Sequence, residues 1–91
     1  MDEQISIHAT LRMRQRGIST PFLAKILNYA NVERPANDNC RLYRVTKDLA
    51  RALGDDRLAR FAVIWSDDHG RVVTIVPISR GRVGASYRKR H

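Results

Sequence analysis

His8, Arg12 and Arg16 follow one another at intervals of four residues. A helix advances about 100° per residue, so a helix through this segment gathers the three, with Ala9 and Met13, into one stripe. Ala9 and Met13 can face a core. The imidazole and the two guanidinium groups then stack one turn apart along the edge of the buried face. Groups of this kind repel one another unless an anion or a carboxylate joins them. No Asp or Glu occurs between Ile7 and Arg16, and a phosphate is the obvious guest. The plainer alternative is that the arginines make ordinary salt bridges across the domain while His8 serves as a hydrogen-bonded helix-start residue.

Thr74 is a second candidate, set among Val72, Val73, Ile75 and Val76. Its hydroxyl could orient a phosphate oxygen or a ribose hydroxyl if it faces a concave surface; otherwise it is an ordinary strand residue. Tyr87 is a third. It precedes Arg88, Lys89 and Arg90, where an aromatic ring could stack on a base or its hydroxyl could carry a proton, or simply dock the tail. Arg80 and Arg82 extend the same basic stretch, which contains no acid from Ser79 to His91. Tyr43 and Trp65 read as core or sheet-face residues. His8, His69 and His91 have no metal-ligand spacing among themselves or with Cys40, so no metal and no cofactor is expected. One cysteine excludes an internal disulfide.

These residues need elements to position them. Ser6 can cap a helix from Ile7 to Arg16, with Gly17 as its left-handed stop and Ile18 folding back. Ser19 and Thr20 precede Pro21, which suits the first turn of a second helix ending near Tyr29 to Asn31. Phe22, Leu23, Ile26, Leu27 and Ala30 mark its apolar face. Beyond Asn31 the period changes. Asn37-Asp38-Asn39 is a turn signal. Arg41 to Thr46 alternates as a half-buried strand does. Arg60 to Trp65 is a buried strand by composition, and Asp67 to Gly70 turns the chain into a partner strand from Arg71 to Pro77. Lys47 to Asp56 is open between a short helix and a loop. Helices followed by strands predict an α+β fold: two N-terminal helices on a small curved antiparallel sheet of three to four strands.

The whole chain has 91 residues, enough for one domain with one modest core. Seventeen Lys and Arg against nine Asp and Glu give a net charge of +8. That balance favours polyanions such as nucleic acid, or an acidic partner protein. Fourteen of the seventeen bases are Arg, whose planar fork grips phosphate in two places; solubility alone does not require it. No apolar leader and no run near 18 apolar residues occurs, so the expectation is a soluble, cytoplasmic protein with no membrane role.

The string His8-Ala9-x-x-Arg12-Met13-x-x-Arg16-Gly17-Ile18-Ser19 resembles the opening signature of domain of unknown function family 4258, grouped with RelE-like and BrnT-like toxins of microbial ribonuclease-like fold. Val72 to Pro77 resembles that family's closing strand, and the likeness spans about residues 5 to 78. The resemblance implies a bacterial toxin-antitoxin-type endoribonuclease, or a relative without activity. His8, Arg12 and Arg16 then match the family's His and Arg motif, and Thr74 its C-terminal strand threonine. Arg80, Arg82 and Tyr87 correspond to basic and Tyr residues near the C-terminus of RelE-like toxins. The implied partners are RNA and a small acidic antitoxin. Without metal, cleavage would use the ribose 2′-hydroxyl as nucleophile. His8 would act as base or acid, Arg12 and Arg16 would hold the phosphate, and Thr74 or Tyr87 would position or protonate a leaving oxygen. The alternatives are a non-catalytic nucleic-acid-binding module and an antitoxin-binding relative.

Overall fold

A computed structural model describes residues 5–78. Helix α1 runs Ile7–Arg16 and helix α2 runs Thr20–Tyr29. Both begin on side-chain caps: Ser6 accepts from the Ala9 amide and Ser19 from the Phe22 amide. Gly17, at φ 67°, ends α1 in the left-handed region. Its amide donates to the Arg14 carbonyl, and the Ile18 amide reaches back to Met13 at 2.8 Å. Ile18 and Met13 are both buried, which completes the apolar contact of that stop motif.

Four antiparallel strands follow: β1 (Val32–Ala36), β2 (Cys40–Arg44), β3 (Phe61–Ser66) and β4 (Arg71–Pro77), lying in the order β1-β2-β3-β4. The α+β reading holds, with the sheet at the upper end of the expected strand count. Strand β1 has no alternating signature and contains Pro35, which cannot donate to a ladder. It is accommodated because β1 is an edge strand. Asp38 and Asn39 take positive φ in the β1–β2 turn, a conformation these two residue types tolerate. The open segment resolves into a short helix α3 (Lys47–Ala52), capped by Thr46, and a 3₁₀ turn over Asp56–Arg60.

The two faces of the sheet differ. Val63, Ile75 and Val72 join Ala9, Met13, Leu23, Ile26 and Val45 in one core beneath the helices, with Phe61 and Trp65 packed against it. Helix α1 lies over β4, and α2 over β2 and β3. Side chains alternate along a strand, so the residues between these point to the far face. A bulge opposite Ile64 and Trp65 bends β3 against β4. At that bend Ser6 ties the start of α1 to the edge of β4: its amide donates to the Val72 carbonyl and its hydroxyl to the Val73 carbonyl at 3.1 Å.

Candidate nucleic-acid interface

The position of each basic group on α1 follows from the angle it makes with the buried pair Ala9 and Met13. Successive i+4 steps advance about 40° round the axis. His8 starts the row farthest from the core, Arg12 comes closer, and Arg16 borders it. Burial follows that order: His8 is exposed, while Arg12 and Arg16 are half-buried. Arg12 donates from Nη1 to Gln15 Oε1 at 3.4 Å, a long contact within the same helix. The Arg16 Nε atom is buried and has no acceptor. An unmatched buried donor costs roughly 1–3 kcal/mol. Packing against the core therefore holds this side chain in place, with no acid paired to it among the described residues.

Among the described residues the ion pairs involve Lys25 with Asp55, and Arg41 with Glu33 and Asp67. None uses His8, Arg12 or Arg16. Arg14 and Arg16 sit in the last turn of α1, where cations oppose the helix dipole; that interaction leaves a net positive charge.

A fourth guanidinium arrives from the 3₁₀ turn. Arg57 donates from Nη2 to the Gly17 carbonyl at 2.9 Å and lies over the Phe22 ring at 4.6 Å from its centroid. Sequence reading missed Arg57 because it lies 40 residues from Gly17 in an ambiguous segment. The available signal was the tight Gly54-Asp55-Asp56 stop, which turns the following residues back toward α2.

Thr74 stands elsewhere. Its register places it in a row with Ile64, Leu42 and Arg34 across the four strands. That row faces away from the helices, because its neighbours Val63 and Ile75 face them. Thr74 therefore does not meet His8, Arg12 and Arg16 in one cleft. It shares its face with three arginines that the sequence left unassigned. Arg44 lies in the adjacent row with Val32, Ala62 and Val76, and Arg71 pairs with Ser66 at the other end. Ala62 and Ile64 lie on this face as well but are buried, with only 1% and 6% exposure. No strand residue on it is acidic. Arg80, Arg82, Tyr87, Arg88, Lys89 and Arg90 lie outside the described residues.

Acids on or beside the sheet include Glu33 on β1 and Asp38, Asp67 and Asp68 in the two hairpin turns. Glu33 and Asp67 hold Arg41, the latter at 2.9 Å from Nε, and these bonds keep the Arg41 guanidinium protonated well beyond its usual range. Burial first, then Asp38, Asp68 and Asp67, push the Cys40 thiol up. No group of three potential metal ligands occurs among the described residues, and none of their helices is long and apolar enough to cross a membrane.

Compared with models of protein families, with curated proteins and with solved structures, the chain matches none. What can be said of function rests on the two surfaces themselves. The α1 edge offers two guanidinium groups and an imidazole at one-turn spacing, suited to successive oxygens of a polyanion. The far face of the sheet carries Arg34, Arg44 and Arg71 around Ala62 and Ile64, which are themselves buried, and so offers cations to an anionic chain rather than an exposed apolar floor.

Proposed function

We propose that this domain is a metal-independent endoribonuclease of the toxin-antitoxin kind that holds the RNA backbone along the edge of α1. The observation that carries the reading is the row His8, Arg12 and Arg16 on a helix without acids, with Arg16 packed against the core and paired with no acid among the described residues. Arg12 and Arg16 grip the phosphate oxygens and stabilise the charge that develops there. His8, at the open end of the row, takes the proton of the ribose 2′-hydroxyl as it attacks phosphorus. The bond to the 5′-oxygen breaks, solvent protonates that oxygen, and a 2′,3′-cyclic phosphate remains. The resemblance of the α1 motif to the toxin-type family supports the same assignment.

A second reading, RNA binding without chemistry, is favoured by the placement of Thr74. It stands on the sheet face turned away from the helices, apart from the row, so no described residue supplies a second proton-transfer group beside His8. In this reading Arg34, Arg44 and Arg71 hold the phosphates of the strand beside the half-buried Leu42 and Thr74.

The full chain incubated with a synthetic RNA in EDTA separates the two. Cleavage leaving a cyclic phosphate, with most of the rate lost in His8→Ala, supports the nuclease. Cleavage unchanged in His8→Ala removes His8 from the mechanism. Binding that falls steeply with salt, without cleavage, selects the second reading. Absence of both cleavage and binding sinks both.

A further inference from the structure

Arg57 is exposed, yet its guanidinium is held from two directions. Nη2 donates to the Gly17 carbonyl at 2.9 Å, and the central carbon lies 4.6 Å from the Phe22 ring centroid and 5.8 Å from that of Phe61. The two rings stand edge to face with centroids 6.2 Å apart, and both pack against the core. An exposed arginine ordinarily gives up rotamer freedom when it grips a ligand, whereas this one is ordered beforehand. Neither contact cancels its charge. The ion pairs among the described residues do not include Arg57: Asp55 is held by Lys25 at 3.4 Å, and Asp56 takes part in none. One N–H of the fork goes to the Gly17 carbonyl, and the exposed remainder keeps donors for an outside acceptor.

We infer that Arg57 binds a further phosphate of the RNA strand, one nucleotide beyond the phosphate held by Arg16. This rests on the reading of the α1 row as the RNA backbone site, and it carries that site past the end of the helix. Gly17 directly follows Arg16, so the Arg57 fork stands where a strand tracking the row would leave α1. Each step of the row rises about 6 Å along the helix axis, and Arg57 supplies the next cation where the helix can supply none. Gly17 has no side chain to obstruct the passage; a Cβ built there would lie 4.0 Å from Arg57 Nη2. The planar fork, oriented by Phe22, suits two oxygens of one phosphate. Arg57 is therefore a binding residue that lengthens the stretch of backbone gripped, and it takes no part in proton transfer.

The test uses the full chain and labelled RNA oligonucleotides lengthened stepwise from about two to eight nucleotides, 2′-O-methylated so that they bind without being cut. Affinity should climb with each added phosphate that meets a cation and then level off. In Arg57→Gln, whose amide can still donate to the Gly17 carbonyl, the plateau should come one nucleotide earlier, and the salt slope for the longest oligonucleotide should fall by about 0.7, the value for one single-strand phosphate. Arg57→Lys keeps the charge and should keep the wild-type plateau and slope. In the wild-type chain, where no variant has to fold, the Arg57 Nε–H resonance should shift when the longest oligonucleotide is added. An equal loss at every length in Arg57→Gln would make the residue a support for α1 alone and overturn the inference. So would a lysine variant as defective as the glutamine one, or an Arg57 resonance that stays still while the α1 amides shift. RNA binding untouched by Arg57→Gln overturns it too and leaves the α1 reading standing, whereas a wild-type chain that binds none of the oligonucleotides overturns both.

Discussion

The edge of α1 and the far face of the sheet both carry arginines, yet they are built differently. The α1 row comes from one ten-residue helix, and its geometry depends on that helix staying seated over β4. The sheet face comes from four strands whose register is set by three ladders, although its other side packs on the helices in one core. The first surface therefore depends on one helix, and the second is spread over four paired strands. The two should respond differently to the same kind of damage.

The largest difference should follow from unseating α1. Met13 is buried where the helix meets the sheet. Met13→Ala should cost about 2–5 kcal/mol of stability, read by urea denaturation. Below the melting transition it should weaken RNA contacts made by the α1 row more than those made by the sheet. Next in size is the comparison of the two arginine pairs. Arg12→Ala with Arg16→Ala should lower RNA affinity by about tenfold to a hundredfold at moderate salt and flatten the salt dependence by about two phosphate contacts. Arg34→Ala with Arg44→Ala should cost only a few-fold. A larger loss in the second pair would reverse the ranking and move the interface to the sheet. Smaller again is Ser6→Ala, which removes both the cap to the Ala9 amide and the bond to the Val73 carbonyl. A cost of about 1–2 kcal/mol with weakened RNA binding would show that this tether holds His8 in place. The same cost with unchanged binding would show that it serves the fold alone.

The contrast also explains what the sequence revealed. Both bounds of α1 were legible because every determinant is local: the Ser6 cap, the Gly17 stop and the i+4 spacing lie within twelve residues. The same locality made the basic row visible. The end of α2 and the strands β3 and β4 were legible within a residue or so for similar reasons. Arg34 was not, because Val32-Glu33-Arg34-Pro35-Ala36 shows no alternation, and its status as a strand depends on pairing with β2. Which face Thr74 occupies was also hidden. A strand's own pattern separates two faces but does not say which one the helices cover, and the buried Ala62 and Ile64 make both sides of β3 look like core. Arg57 depended on a contact spanning the middle of the chain. Residues whose roles are set by register or by long-range packing stay silent in a single sequence.

The open face is not uniform along its length, and Cys40 measures the gradient. Arg34 and Arg44 occupy β1 and β2, but Cys40, at the hairpin end of β2, has Asp38, Asp67 and Asp68 as its electrostatic neighbours. Desolvation and these carboxylates all disfavour the thiolate, so the thiol is raised and its ionised fraction at a given pH is lowered. Because the thiolate is the reactive form, alkylation of Cys40 by iodoacetamide at mildly alkaline pH should be slower in the folded protein than in the urea-unfolded chain. Asp38→Asn should speed the folded reaction by roughly twofold, a small change because burial is the larger cause. Slower alkylation in that variant would have the wrong sign, and faster alkylation in the folded protein than in the unfolded chain would mean that the arginines dominate the whole face. Either result would extend the positive surface to the hairpin end. The expected result weakens the positive surface in the row of Cys40, Ser66 and Arg71 relative to the rows holding Arg34 and Arg44, so that an RNA strand on the sheet would favour the middle of β1 and β2.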